Sequence, residues 1–96
     1  MAKISKAKRG KIRWIGLHIN QKPFSRNTFQ ENLGKILGDI NWKLFDLIDN
    51  ETHALAILRT SLEDSSEAKE KINSNDGIST LTTSGKIRLV RQRLGI

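Results

Sequence analysis

Residues 11–20, Lys-Ile-Arg-Trp-Ile-Gly-Leu-His-Ile-Asn, alternate in polarity and predict a strand. Ile15, Leu17 and Ile19 fall on one face, a candidate core face; Ile12, Trp14, Gly16 and His18 form a mixed second face. Lys22-Pro23 turns the chain, and Ser25 stands where a helix N-cap would accept an orphan backbone N–H. Phe24 and Phe29 have the N′ and N4 spacing of a hydrophobic staple. Phe29, Leu33, Ile36, Leu37 and Ile40 follow at helical spacing as one apolar stripe. Gly34 and Gly38 each weaken that helix by about 1 kcal/mol relative to Ala. Either they let it approach a sheet closely, or Gly38 ends it early.

Residues 43–49 and 53–60 read as a hairpin around Asp49-Asn50-Glu51-Thr52. In its first strand Phe45 and Leu47 share a face, while Leu44 and Ile48 flank Asp46 on the other. Its second strand, His53-Ala-Leu-Ala-Ile-Leu-Arg-Thr, is nearly all apolar, as a central strand should be. Residues 61–74 predict a second helix with Leu62, Ala68 and Ile72 as a sparse apolar face. Asn73–Gly77 is a turn cluster, Ile78–Thr83 a short strand, and Gly85–Leu94 a third helical pattern. The order β-α-β-β-α-β plus a terminal helix predicts an α+β fold, the ferredoxin-like split βαβ that RNA-recognition motifs share. Both central helices should lie on one face of its antiparallel sheet. The predicted organisation is a basic tail over residues 1–10 and a single domain over 11–96.

Charge sharpens the picture. All ten carboxylates lie between Glu31 and Asp76, so the formal charge is +8 over residues 1–30, −5 over 31–76 and +4 over 77–96. Like charges concentrated at two ends repel unless a polyanion receives them, and nucleic acid is the partner so implied. There is no Cys, hence neither a disulfide framework nor a thiolate metal site. No apolar run approaches the roughly 18 residues of a membrane span, and the basic N-terminus has no apolar stretch after it to make a secretory signal. A mitochondrial transit peptide is the alternative reading of Met1–Arg13; the strand predicted at Ile12–Ile19 argues against it and for a cytoplasmic protein.

Lys3–Arg13 carries six cations with Ser, Ala and Gly between them, a segment suited to lying on a phosphate backbone; a solubility tail is the alternative. In the C-terminal helix Ile87, Val90 and Leu94 form one stripe, with Arg88, Arg91 and Gln92 opposite and Lys86 and Arg93 interrupting the apolar side. It should therefore lie shallowly on the body. Its start, after Ser84-Gly85, offers backbone N–H groups to a phosphate. An ordinary amphipathic helix is the alternative, and a membrane-surface helix is disfavoured by the lack of bulky aromatics. Gly85-Lys86 is not a phosphate loop, since Ile87 stands where Ser or Thr is required. Arg59 ends an apolar strand and either reaches a phosphate or pairs with a local acid.

The aromatic platform of a single-strand-binding RNA-recognition motif is absent from the predicted strands. Trp14 and His18 are assigned to a protein interface, with core packing and base stacking as the alternatives for Trp14. Catalysis has little to stand on: His18 and His53 are the two imidazoles. Asp46, Asp49 and Glu51 cluster near the hairpin, but an acid-rich turn needs no metal to explain it.

The lead-in Lys8-Arg9-Gly10-Lys11-Ile12-Arg13-Trp14-Ile15, the helix start Phe24-Ser25-Arg26, the strand end Ile57-Leu58-Arg59 and above all Ser84-Gly85-Lys86-Ile87-Arg88-Leu89-Val90-Arg91 carry a family likeness. Together, almost end to end, they resemble archaeal ribonuclease P protein component 2, related to a eukaryotic ribonuclease P/MRP subunit. The resemblance implies a non-catalytic subunit of a ribonucleoprotein endoribonuclease. It would bind and stabilise the ribonuclease P RNA, which with Mg²⁺ removes the 5′ leader of precursor tRNA. The chain itself would hold no cofactor, and its contact with precursor tRNA would be indirect. It also implies pairing with ribonuclease P protein component 3 and self-association as a homodimer within the complex. The positions that match the family's basic residues, or extend that patch, are Lys6, Lys8, Arg9, Lys11, Arg13, Arg59, Ser84, Gly85, Lys86, Arg88, Arg91 and Arg93. The chain is shorter than typical members before Trp42 and before Ile78, which touches the protein–protein surface more than the basic ends. A structural RNA-binding protein such as a ribosomal component is the alternative function, and a protein-interaction module a third.

Overall fold

A computed structural model describes residues 11–20, 25–49 and 52–96. In chain order the elements are β1 (Ile12–Ile19), α1 (Arg26–Leu37), β2 (Trp42–Asp49), β3 (Ala54–Ser61), α2 (Leu62–Asn73), β4 (Ile78–Ser84) and α3 (Ile87–Leu94). The protein is α+β, with one four-stranded antiparallel sheet in the order β2-β3-β1-β4 and three helices. The apolar strand expected to be central, β3, lies between β2 and β1.

The first face of β1 is the core face, as its alternation predicts: Ile15, Leu17 and Ile19 are buried. They meet Ala54, Ala56 and Leu58 of β3, Phe29, Leu33 and Leu37 of α1, and Ala68 and Ile72 of α2. Each large side chain buried there stabilises the fold by about 1.5–3 kcal/mol relative to exposure. The small Ala side chains of β3 leave room for the helices above them. Ser25 caps α1, its Oγ accepting from the Thr28 N–H at 3.1 Å. Gly38 ends that helix at φ +63°, a left-handed conformation that a Cβ would strain. Phe24, the other half of the expected staple, lies outside the described residues.

Two details depart from the alternation pattern. In β2 the register shifts between Leu44 and Asp46, a β-bulge with Phe45 as the extra residue. Phe45 therefore turns to the second sheet face beside Asp46, while Leu44 and Leu47 turn to the main core. A strict period of two assigns these faces differently because it has no place for an inserted residue. In α2 the buried positions are Ser65, Ala68 and Ile72, and Leu62 is exposed. That stripe runs back by one helical repeat to Ser61, the N-cap, whose Oγ accepts from the Asp64 N–H at 3.2 Å. Leu62 is thus one position off the sheet-facing line.

α3 lies on the opposite face of the sheet from the main core. Its stripe of Ile87, Val90 and Leu94 closes a second, smaller cluster with Trp14, Ile57, Ile12 and Phe45. Trp14 is only 9% exposed and meets the Phe45 ring edge-on, with centroids 4.7 Å apart. Of the readings open for Trp14, core packing is the one the fold realises: α3 covers the face expected to await a protein partner. Gly16 makes this docking possible. A Cβ there would lie 3.1 Å from both Thr82 Cγ2 and Val90 Cγ1 and 3.2 Å from Leu94 Cδ1. Among the described residues, no helix is long and apolar enough to cross a membrane.

Gly16→Val should therefore overpack the contact between α3 and the sheet and lower the unfolding free energy by about 1–3 kcal/mol. Trp14→Ala should cost about 3–5 kcal/mol. Urea denaturation measures both; losses within experimental error would show that α3 is not seated on this face.

Candidate nucleic-acid interface

Antiparallel pairing gathers the starts of β1 and β2 and the ends of β3 and β4 at one end of the sheet. One register row crosses the whole sheet there: Ser84 opposes Trp14, Trp14 opposes Arg59, and Arg59 opposes Lys43. Lys11 and Arg13 lie on β1 or just before it, and Ser84-Gly85-Lys86 leads from β4 into α3, whose second residue is Arg88. Six cations, Lys11, Arg13, Lys43, Arg59, Lys86 and Arg88, thus come from five segments to one end. Among the described residues no carboxylate forms an ion pair with any of them. Of the acids that share this end, Glu63 and Asp64 are on α2, and Asp39 lies in the turn after α1.

Local contacts hold several of these cations in place. The guanidinium of Arg59 and the ammonium of Lys43 lie 5.4 and 5.5 Å from the centroid of the Phe45 ring. Such contacts are worth about 0.5–1 kcal/mol at exposed sites. They offset a cross-strand juxtaposition of like charges that is otherwise unfavourable. Arg13 Nη1 donates to the Ile12 carbonyl at 2.9 Å. A Cβ on Gly85 would stand 3.2 Å from the same nitrogen, so glycine leaves Arg13 its space. Ser84 Oγ accepts from the Lys86 N–H at 3.2 Å and shapes the turn into α3. The helix begins at Ile87 with Lys86 as its N-cap, two residues beyond the Ser84-Gly85 start read from sequence.

Of the residues expected to bind RNA, Lys11, Arg13, Arg59, Ser84, Gly85, Lys86 and Arg88 are brought together here. Arg91 and Arg93, on the last turn of α3, are not. Arg91 forms a two-armed contact with Asp46, with Nε to Oδ2 at 2.8 Å and Nη2 to Oδ1 at 3.3 Å. The hydrogen bond that Arg91 donates to Asp46, and then the carboxylate's charge, raise the guanidinium's already high pKa. This pair also engages one of the three acids near the hairpin; Glu51 lies outside the described residues. Arg93 Nη1 donates to Thr82 Oγ1 at 2.9 Å and to the Thr83 carbonyl at 3.3 Å. Lys6, Lys8 and Arg9 lie outside the described residues.

Lys43 was missed by sequence reasoning, because only the strand register sets it opposite Arg59. The two expected interface residues are also separated. Trp14 is under α3, whereas His18 is near the other end of the sheet, half-buried, its ring stacked on His53 with centroids 5.2 Å apart. Comparison with protein-family models, curated proteins and solved structures finds no match.

The arrangement separates two arginines that the sequence presents alike. With a single-stranded RNA, Arg88→Ala should flatten the slope of log affinity against log salt by about 0.7, the loss of one phosphate contact. Arg91→Ala should leave the slope near that of the wild type, and Asp46→Asn, which frees Arg91, should strengthen binding. Fluorescence anisotropy at several salt concentrations measures all three; equal effects of the two Arg→Ala changes would contradict the ion pair's role.

Proposed function

We propose that this chain binds RNA through the basic end of its sheet and serves in the cytoplasm as a non-catalytic protein subunit of ribonuclease P. The observation that carries the proposal is the convergence of Lys11, Arg13, Lys43, Arg59, Lys86 and Arg88, with two cations directly opposite on neighbouring strands. Holding like charges together in this way is favoured when a polyanion neutralises them. RNA phosphates do so with release of counterions.

The finer assignment rests on where the family-like residues fall. Ser84-Gly85-Lys86-Ile87-Arg88 forms the passage from β4 into α3, and Arg59 ends β3, so the most specific part of the resemblance coincides with the basic end. The finer fold reading, a split βαβ like that of RNA-recognition motifs, is supported by a strand order in which β3 separates β2 from β1 and β1 separates β3 from β4. The face used by a single-strand-binding RNA-recognition motif is occupied by α3 over Trp14. This supports RNA binding at the end of the sheet, not across it. The cleavage chemistry belongs to the RNA with its Mg²⁺. The protein's part is to neutralise phosphates and hold the active RNA conformation, with ribonuclease P protein component 3 as its protein partner and a second copy of this chain as a further one.

Reconstitution of precursor tRNA cleavage with a ribonuclease P RNA and component 3 tests this reading. Adding the chain should raise activity most at low Mg²⁺, and Arg59→Ala/Arg88→Ala should remove most of that gain. RNA binding with the expected salt slope but no effect on cleavage would redirect the assignment to a structural RNA-binding protein. A flat salt response would remove nucleic acid altogether.

A further inference from the structure

At the basic end, the start of β1 and the start of β2 flank the last residues of β3, and a cleft of about 260 Å³ opens between them. This is smaller than the roughly 300–1,000 Å³ of pockets that enclose drug-sized ligands, and is of a size for a single planar heterocycle. Its lining combines three kinds of chemistry. Trp42, half-buried, supplies an indole; Asn41 supplies an amide; Lys11 supplies a cation. Thr60 also lines the cleft, and it is the informative member. It is 2% exposed, and among buried side-chain polar atoms of the described residues its Oγ1 is the one with no hydrogen-bond partner. Buried hydroxyls are ordinarily paired, and an orphan one calls for an explanation.

We infer that this cleft is a subsite for one unpaired nucleotide of the bound RNA. The base stacks on Trp42, a flanking phosphate lies on Lys11, and Thr60 and Asn41 hydrogen-bond the base edge. The indole can receive a base because it stands between two openings: the cleft on one side and a groove against Arg26 and Gln30 of α1 on the other. A base-stacking aromatic beside backbone-tracking cations is the recurrent solution for single-stranded nucleic acid. Here it sits at the end of the sheet, clear of the face that α3 covers. The inference rests on the RNA-binding reading and adds to it a requirement for unpaired bases.

The test uses the full chain and three probes at one salt concentration: a single-stranded RNA 12-mer of mixed sequence, a blunt RNA duplex, and inorganic polyphosphate as a charge-only control. The wild type should favour the single strand over the duplex. Trp42→Leu should weaken single-strand binding about tenfold, within the range that stacking on an aromatic side chain provides per base, while polyphosphate binding stays unchanged. Trp42→Phe should remain within about twofold of the wild type. Thr60→Val, which removes an unpaired hydroxyl at constant shape, should weaken single-strand binding severalfold with an unchanged or higher melting temperature.

Wild-type affinity in both Trp42→Leu and Thr60→Val would overturn the subsite and leave RNA binding through phosphates in place. So would loss of polyphosphate binding in Trp42→Leu to the same extent as RNA, since that result marks a structural role. Failure of the wild type to bind either RNA or polyphosphate would overturn both the subsite and the RNA-binding reading.

Discussion

β1 is buried on both faces, and a strand in that position needs an apolar cover on each side. On one side Ile15, Leu17 and Ile19 lie beneath α1 and α2; on the other Trp14 and Gly16 lie beneath α3. With β3 and β4 also hydrogen-bonded along its two edges, β1 has little contact with solvent except at its ends. The rest of the architecture follows from meeting this requirement in a short chain. Two helices cap the large core. The last helix caps the small one, and Gly16 together with the Phe45 bulge adjusts the second face to receive it.

The same constraint places the charges. Because α3 has to reach back over β1 from the end of β4, Lys86 at its N-cap and Arg88 in its first turn come to the end of the sheet that Arg13 and Arg59 share. Antiparallel pairing then adds Lys43 from β2. A basic end is thus a consequence of strand register and of helix docking together, and neither alone would assemble it. Farther along α3 the pattern changes, because Arg91 meets Asp46, which the bulge in β2 has turned to that face. The bulge therefore serves both the small core, through Phe45, and the electrostatics, through Asp46. It marks the boundary between cations open to a ligand and a cation already engaged.

Much of the fold was legible along the chain. Alternation located β1 and its core face, the apolar run placed β3 at the centre, and Ser25 announced the start of α1. The stripe of Ile87, Val90 and Leu94 described how α3 sits. The misreadings have specific causes. Alternation pairs Phe45 with Leu47 because a bulge breaks the period of two without leaving a mark such as Gly or Pro. Hydrophobicity alone puts Leu62 on the buried face, whereas the phase of α2 is set by Ser61, Ser65, Ala68 and Ile72. The sequence assigns Trp14 to an interface because nothing local to residues 11–20 announces that a helix seventy residues later covers it. Within the candidate site, Lys86 and Arg88 stand in an acid-free segment of the sequence and Arg59 is open between a phosphate and a local acid, whereas Lys43 and the orphan hydroxyl of Thr60 become visible only through their neighbours.

By itself the sequence determined the kinds and order of the elements, the apolar faces of most of them, and the concentration of positive charge in the two terminal segments. These are properties of periodicity and composition, and they act over a few residues. The tertiary structure decided which face α3 would cover, that Lys43 would stand opposite Arg59, that Arg91 would be held by Asp46, and that a cleft with an unpaired hydroxyl would open at the basic end. Those outcomes depend on register and on packing between residues far apart in the chain. A one-residue bulge or the absence of one Cβ at Gly16 is enough to change which side chains meet.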